Sequence, residues 1–212
     1  MKNKRCVIVG GAAIGNYDAL KARLSDDDFV IYCDSGLNHL DGLGRKPDLI
    51  VGDFDTHENP HLDAETIVLP VAKDDTDLGY AAKAALERGY RDFLLVGVLG
   101  GRTDLTMGTI AVMLMLDSAG AKAVAADDRS DVEVVSGRAE VGGSFEIFSL
   151  INIDNAHGIT IRNAKFPLES GEIGTEGTLG ISNEPLPGQT AEIEAKTGRL
   201  LIVKVYSKTQ NI

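Results

Sequence analysis

The first half of the chain alternates short apolar runs with segments of helical periodicity, and this alternation limits the possible folds more than any other feature. The apolar runs predict strands at residues 5–9, 29–33, 49–51, 66–69, 93–96 and 121–126. The spacing of apolar residues predicts helices at residues 17–24, 76–88 and 106–118. Because strands that alternate with helices form parallel sheets covered by helices, residues 1–128 are predicted to be an α/β domain with a Rossmann-like parallel sheet.

The pattern changes at the polar stretch 127–130, which we take as a domain boundary. Beyond it no segment has convincing helical periodicity, and glycines and prolines separate short alternating runs. These runs predict strands at residues 132–135, 144–150, 158–162, 180–182, 190–195 and 200–206. Residues 129–212 are therefore predicted to be a second domain, a small antiparallel β-sandwich or barrel.

Charge and composition exclude several classes of protein. The net charge of −11 at pH 7 argues against nucleic-acid binding, which needs a basic surface. No apolar run approaches the roughly 18 residues that a membrane span needs, and we identify no targeting segment. Cys6 and Cys33 lie in predicted strands and are expected to be buried thiols rather than redox or metal-binding groups. We therefore expect a cytoplasmic protein.

The run Gly52-Asp53-Phe54-Asp55 follows the predicted buried strand 49–51. Open α/β sheets bind ligands at the carboxyl ends of their strands, so Asp53 and Asp55 are candidates for a ligand site. A turn after Gly52 brings the two carboxylates together, and a divalent cation such as Mg²⁺ would relieve their repulsion. The alternative is a solvated acidic turn.

The loop Asp34-Ser35-Gly36-Leu37-Asn38-His39 follows the predicted strand 29–33. Its small residues would allow a nucleotide to approach closely, and Asp34 and Asn38 offer hydrogen-bonding groups. An ordinary turn explains the same residues, because Asp-Ser-Gly is common in turns.

The run Lys73-Asp74-Asp75-Thr76-Asp77 opens the predicted helix 76–88. Asp75 or Thr76 can be the N-cap, and the acids then complement the helix dipole. The start of the helix would direct Asp77 to the same sheet edge as Asp53, and Lys73 could meet a phosphate.

Residues 97–104 form a glycine-rich loop before the predicted helix 106–118. Gly100 and Gly101 let backbone amides approach an anion, and the helix supplies its positive end. Arg102 adds a guanidinium suited to phosphate oxygens, although an Arg102–Asp104 surface pair is the alternative. The Walker A pattern is absent from the sequence, which excludes a P-loop enzyme.

Residues 177–184 in the second half contain Ser182 and Asn183 between glycines and a glutamate. A hairpin turn accounts for this composition. The two polar residues become candidate ligand contacts only if this domain packs near an active site.

Read in order, five motifs of this chain resemble bacterial thiamine pyrophosphokinase. They are Asp34-Ser35-Gly36-Leu37-Asn38-His39, Gly52-Asp53-Phe54-Asp55, Lys73-Asp74-Asp75-Thr76-Asp77, residues 97–104 and Gly180-Ile181-Ser182-Asn183-Glu184. The resemblance implies an α/β catalytic domain followed by a β-sandwich. It also implies transfer of a diphosphate from ATP to the hydroxyethyl group of thiamine, with release of AMP, by a homodimer whose subunits share the active sites.

The resemblance also implies roles for individual residues. It assigns Asp53, Asp55 and Asp77 to Mg²⁺, with Asp104 completing the acidic site. On the ATP side it implies phosphate contacts from Arg102. The remaining expected ATP-binding residues are Asp34, Asn38, Lys73, Asp74, Gly100 and Gly101. Ser182 and Asn183 correspond to the stretch of the family that contacts thiamine.

Some positions depart from the family pattern. Leu105 stands where His is usual, Thr109 where Asn is usual, and Pro185 where a bulky apolar residue is common; Ser35 replaces a glycine. These departures leave two alternatives to thiamine diphosphokinase. One is a diphosphokinase of the same fold that acts on another hydroxymethyl heterocycle such as a pterin. The other is a turnover-deficient nucleotide-binding protein, against which the retained acids argue.

Overall fold

The computed structural model describes residues 4–55 and 62–207. The chain divides into two compact units, Met1–Asp128 and Arg129–Ile212. The strands described in the first unit are β1 (Cys6–Val9), β2 (Phe29–Cys33), β3 (Leu49–Gly52), β4 (Glu65–Val68), β5 (Asp92–Val96) and β6 (Lys122–Ala126). The helices described there are α1 (Tyr17–Lys21), α2 (Leu40–Leu43), α3 (Asp77–Glu87) and α4 (Thr103–Ser118), and a 3-10 helix spans Asp34–His39.

The strands of the first unit form a parallel sheet in the order β4-β3-β2-β1-β5-β6. Strands β1 and β3 are buried along their whole length, because a parallel sheet in an α/β unit is covered on both faces. The chain builds the sheet outward from β1 to β4 and then returns to β5 beside β1. This reversal creates a topological switch point between β1 and β5, where α/β sheets bind their ligands.

Local sequence explains where helix α3 begins and which face it buries. Thr76 is its N-cap, and the Thr76 hydroxyl accepts a hydrogen bond from the backbone N–H of Gly79 at 3.1 Å. Ala81, Ala82 and Ala85 are fully buried, so the small side chains let the helix lie close to the sheet. Asp77 therefore occupies the first helical position, at a fixed place beside the sheet edge.

The second unit contains two antiparallel sheets. Its strands are β7 (Ser130–Val135), β8 (Arg138–Val141), β9 (Phe145–His157), β10 (Ile159–Arg162), β11 (Leu168–Gly171), β12 (Ala191–Glu194) and β13 (Thr197–Tyr206). One sheet contains β7-β13-β9 and the other β11-β10-β12-β8. Phe148 and Ile202 of the first sheet share a buried apolar core with Ile161 and Ile193 of the second. These features confirm the predicted fold class, an α/β unit followed by an antiparallel β-sandwich.

Several details differ from the sequence-based expectation. Strands β8 and β11 were not predicted, and the predicted strand 180–182 is wrong because these residues form turns, with Ser182 at a left-handed φ of 60°. Cys6 and Cys33 are buried free thiols, as predicted, and burial raises the pKa of Cys6 to about 12. Within residues 4–55 and 62–207, no helix is both long and apolar enough to cross a membrane.

Candidate active site

A cavity of about 680 Å³ lies in the first unit and is lined by loops from the carboxyl ends of β1, β2, β3 and β5. The start of α3 and the first two turns of α4 complete its wall. The polar side chains of its lining belong to Ser35, Asp53, Lys73, Thr76, Asp77, Arg102 and Thr109. The cavity therefore occupies the switch point of the sheet, where the topology predicts ligand binding.

Three carboxylates meet beside this cavity. Each of Asp34, Asp53 and Asp77 offers one carboxylate oxygen, and these atoms all lie within 4.8 Å of one another. Asp34 directly follows β2, Asp53 directly follows β3, and Asp77 begins α3, so neighbouring elements bring the acids together. Burial raises the pKa of Asp77, as expected where a carboxylate loses water and faces other acids.

Lys73 lies between two of these acids. Its ammonium nitrogen forms an ion pair with Asp53 and lies 2.9 Å from Oδ1 of Asp77, and its side chain is 10% exposed. The hydrogen bond from Lys73 lowers the pKa of Asp53. Burial disfavours the charged form of Lys73, but the hydrogen bonds to both acids outweigh burial and raise the pKa of the ammonium.

The donor set of this cluster fits a hard divalent cation. Carboxylate oxygens are the ligands that Mg²⁺ prefers, and Mg²⁺ commonly takes one or two of them together with phosphate oxygens. The carboxyl groups of Asp34, Asp53 and Asp77 lie close enough for a divalent ion to offset their mutual repulsion. The cluster could therefore hold Mg²⁺ against a phosphate in the cavity.

The sequence prediction named Asp55 rather than Asp34 for the metal. In the structure Asp55 is exposed and stands outside the three-acid cluster, although its backbone N–H donates to Oδ1 of Asp53 at 3.3 Å. Asp34 is 5% exposed and takes the third place in the cluster. The sequence feature that could have indicated Asp34 is its position: it directly follows β2, the strand that pairs with β3.

The glycine-rich loop 97–102 forms another wall of the cavity. Gly100 and Gly101 have left-handed φ angles of 83° and 66°, which a residue with a side chain rarely adopts. Arg102 occupies the N-cap position of α4 without a side-chain cap. The Asp104 carboxylate accepts from the backbone N–H groups of Asp104 and Leu105, and the positive end of the helix dipole still favours an anion nearby. The loop and the helix can together bind phosphate oxygens.

Arg102 and Asp104 form an exposed ion pair, with side chains 70% and 64% exposed. The hydrogen bond from Arg102 lowers the pKa of Asp104. Arg102 lines the cavity, whereas Asp104 belongs neither to the cavity lining nor to the three-acid cluster. Asn38 and Asp74 are likewise exposed and absent from the lining.

The loop that follows β1 was not predicted as part of the site. Gly10, Gly11, Ala12 and Ala13 line the cavity, and the backbone N–H of Ala12 donates to the carbonyl of Gly97 at 2.8 Å. A Cβ atom at Gly97 would lie 2.5 Å from the carbonyl oxygen of Gly10, so only glycine permits this approach. The signal was present in the run Gly-Gly-Ala-Ala after a buried strand.

Buried His39 holds the same loop. Its Nε2 lies 3.0 Å from the carbonyl oxygen of Ala12 and its Nδ1 lies 2.8 Å from the hydroxyl of Tyr17. Because a carbonyl only accepts, Nε2 carries the proton and Nδ1 accepts from Tyr17 in the neutral ring. Burial lowers the pKa of His39 and favours this neutral form.

The second unit has an apolar hollow of about 270 Å³. Its lining residues include Ile161, Phe166, Leu168, Leu179, Ile181 and Asn183. The ring of Phe166 is 58% exposed, which is high for a large aromatic residue. An exposed ring beside an apolar hollow is suited to stacking against a flat heterocycle.

Asn183 fixes the backbone of Phe166 rather than facing solvent. It is 2% exposed, its Nδ2 donates to the carbonyl of Phe166 at 2.8 Å, and its Oδ1 accepts from the N–H of Phe166 at 3.0 Å. The same Oδ1 accepts from the N–H of Glu184 at 2.9 Å. Ser182 is exposed, so of the two predicted substrate contacts it is the one whose side chain is accessible.

Several solved structures have the same fold. Thiamine pyrophosphokinase from Bacillus subtilis is 24% identical, with a TM-score of 0.82 over 96% of this chain and 100% of that chain. The enzyme from Geobacillus thermodenitrificans is also 24% identical, with a TM-score of 0.82 over 97% and 99%. Yeast thiamin pyrophosphokinase is 14% identical, with a TM-score of 0.78 over 97% and 87%. A comparison with curated proteins gave no match.

Family models match both units. The model described as thiamin pyrophosphokinase, catalytic domain, matches residues 20–125. The model described as thiamin pyrophosphokinase, vitamin B1 binding domain, matches residues 138–200. Since the first model alone spans half of the sequence and the solved relatives have the same fold, the chain belongs to the thiamin pyrophosphokinase family.

Proposed function

We propose that the protein transfers a diphosphate group from Mg-ATP to the hydroxyethyl group of thiamine and releases thiamine diphosphate and AMP. The observation that carries this proposal is the cluster of Asp34, Asp53 and Asp77, which meets Lys73 beside the cavity at the switch point. Membership of the thiamin pyrophosphokinase family supports thiamine as the acceptor.

The proposed chemistry depends on position and charge. Asp53 and Asp77 are the proposed metal ligands, Asp34 joins them on the strength of the cluster, and Asp55 remains a candidate from the resemblance. Bound Mg²⁺ would join phosphate oxygens and neutralise the charge that develops during the transfer. Arg102 and the loop 97–102 would hold the phosphates in line with the acceptor hydroxyl.

Roles are also proposed for the other residues of the site. Lys73, Gly100 and Gly101 line the cavity and are proposed to contact ATP. Asp34 is proposed as a metal ligand in addition to its expected place in the ATP site. The proposed roles of Asn38, Asp74 and Asp104 rest on the family resemblance. We place this reaction in the cytoplasm, where ATP is supplied.

For the acceptor, we propose that the hollow beside Phe166 receives a thiamine ring. Ser182 is exposed and stands in the chain between Ile181 and Asn183, which line this hollow, and Asn183 fixes the backbone of Phe166. The resemblance further implies a homodimer in which this stretch serves the partner's catalytic unit. Subunit mixing tests that arrangement with Asp53→Asn chains and Ser182→Ala/Asn183→Ala chains, each assayed at a thiamine concentration at which it has little activity alone. Activity should return after confirmed exchange of subunits, and failure to return would exclude shared sites.

A different acceptor is favoured by one observation. Leu105 lines the cavity and is 49% exposed, and the hydroxyl of Thr109 is already bonded to the carbonyl oxygens of Val98 and Leu105. The wall near α4 therefore presents an apolar side chain at position 105, and the hydroxyl at position 109 has no hydrogen left to donate. Another hydroxymethyl heterocycle, such as a pterin, is the second candidate.

The test is incubation with Mg-ATP and a panel of heterocyclic alcohols, with AMP and the modified alcohol both measured. AMP formed with thiamine supports the main proposal, and AMP formed only with another alcohol supports the second candidate. Absence of AMP with every alcohol would indicate a nucleotide-binding protein without turnover.

A further inference from the structure

The ammonium group of Lys73 lies against two of the three carboxylates that would hold a metal ion. It pairs with Asp53 and lies 2.9 Å from Oδ1 of Asp77, and both carboxylates belong to the cluster. Mg²⁺ binds carboxylate oxygens at about 2.0–2.1 Å. A metal ion bound to the same two carboxylate oxygens as the ammonium would overlap with it, so at those oxygens the two cations compete.

We infer that Lys73 is a resident counter-cation of the proposed metal site, which gives up its place more readily when a divalent ion arrives together with a polyphosphate. In the free protein the ammonium neutralises part of the charge of Asp53 and Asp77. When the metal binds, the ammonium moves onto a phosphate oxygen in the same cavity. This inference rests on the proposed function and assigns Lys73 a positioning role in it.

The surroundings of Lys73 permit this movement. Residue 73 lies between β4 and α3, outside both elements, and its side chain lines the cavity of about 680 Å³. The lysine side chain is flexible and its ammonium is a point charge, so new partners do not have to match a fixed geometry. Its neighbour Asp75 is held separately, by the Lys83 ammonium at 2.7 Å and by the N–H of Thr76 at 2.8 Å.

The consequence is thermodynamic coupling between the metal and the nucleotide. A metal ion that binds alone must displace the ammonium into a site without phosphate, which weakens its binding. A nucleotide supplies the ammonium with a new anionic partner, and the metal then binds more tightly. Linkage requires the metal to strengthen nucleotide binding by the same factor.

Binding of Mn²⁺, detected by electron paramagnetic resonance, tests the inference without turnover. Titrations use the full chain with and without α,β-methylene-ATP, which cannot transfer its diphosphate. Without nucleotide, Lys73→Met should bind Mn²⁺ about tenfold more tightly than the wild type, corresponding to ~1.4 kcal/mol. The increase in Mn²⁺ affinity on adding the nucleotide should be smaller in Lys73→Met than in the wild type.

Lys83→Met is the matched control, because Lys83 pairs with Asp75 outside the cluster and its side chain is 51% exposed. Its Mn²⁺ affinity should stay within about twofold of the wild type. If Lys73→Met does not fold, Lys73→Gln replaces it, since an amide keeps hydrogen-bond donors and removes the charge. Equal or weaker Mn²⁺ binding by the Lys73 variant, or no binding by either protein, would overturn the inference.

These outcomes are distinguishable from failure of the proposed function. If the wild type makes no AMP with any alcohol but the Mn²⁺ affinities are as predicted, the proposed role of Lys73 stands and the proposed reaction is wrong. If the wild type makes AMP with thiamine but the Lys73 variant and the wild type bind Mn²⁺ equally, the proposed reaction stands and the proposed role of Lys73 is wrong.

Discussion

Replacing Asp53 by asparagine tests the acidic cluster most specifically. The substitution keeps the shape of the side chain and removes one formal charge from the proposed metal site. The Asp53 side chain is 10% exposed, so solvent screens the charge only partly. Unit charges about 4 Å apart interact by about 4 kcal/mol at an effective dielectric constant of about 20.

The Asp53 charge would stabilise the bound metal in the ground state as well as in the transition state. Removing it therefore raises the activation barrier by less than the full interaction energy. We expect kcat to fall by about 10²- to 10³-fold, which corresponds to about 3–4 kcal/mol. Folding should be little affected, because Lys73 keeps its ion pair with Asp77 and one acid is removed from a crowded cluster. The melting temperature should therefore stay close to that of the wild type.

The assay is AMP release at saturating Mg²⁺ and ATP, together with thermal unfolding of each variant. Asp75→Asn is the matched control, since Asp75 lies two residues from Asp77 but outside the three-acid cluster and accepts from the Lys83 ammonium. It should retain most of the activity. Wild-type turnover in Asp53→Asn, or an equal loss in Asp75→Asn, would refute a metal role for this cluster.

Three further predictions concern other parts of the chain. Arg102→Lys should lower kcat at unchanged stability, because lysine lacks the planar fork for two phosphate oxygens. Asn183→Ala should raise KM for thiamine but not for ATP, and combining it with Phe166→Ala should add little, because the amide acts through Phe166. The wild type should lose stability as the pH falls below 6.5, since the unfolded chain takes up a proton that buried neutral His39 does not. This slope is at most ~1.4 kcal/mol per pH unit, and His39→Gln should remove it.

Each of these three predictions can be contradicted by a specific result. Unchanged ATP affinity and turnover in Arg102→Lys would make the residue part of a surface ion pair alone. Additive losses in the Asn183 and Phe166 variants, measured from kcat and KM for thiamine, would mean that the two side chains act separately. Parallel pH–stability curves for wild type and His39→Gln, measured by urea unfolding between pH 7.5 and 5.5, would exclude the histidine as the source of the slope.

The fold class was predictable because its signal is distributed along the chain. Strands buried on both faces, such as β1 and β3, are continuous apolar runs, and the alanine-rich α3 shows helical spacing. Strands β8 and β11 were missed because each has four residues with mostly exposed or half-buried side chains, and such segments carry little apolar periodicity.

For the candidate site, the sequence predicted which loops are involved but not which residues of those loops come together. The choice between Asp34 and Asp55 depends on backbone geometry, because Phe54 adopts a left-handed φ of 56° and Asp55 lies exposed beyond it. A bulky residue rarely adopts such a φ, so the sequence does not predict this backbone conformation. The contact of Asn183 with Phe166 joins residues 17 positions apart and depends on tertiary packing.

The transfer of a diphosphate group is tested most directly with ATP labelled with ³²P at the β position. Wild-type protein, Mg²⁺, thiamine and labelled ATP are incubated, and the products are separated and quantified. We expect the label in thiamine diphosphate, with one AMP formed for each molecule of product. Labelled ADP with thiamine monophosphate, or AMP with no label on thiamine, would contradict diphosphate transfer to thiamine.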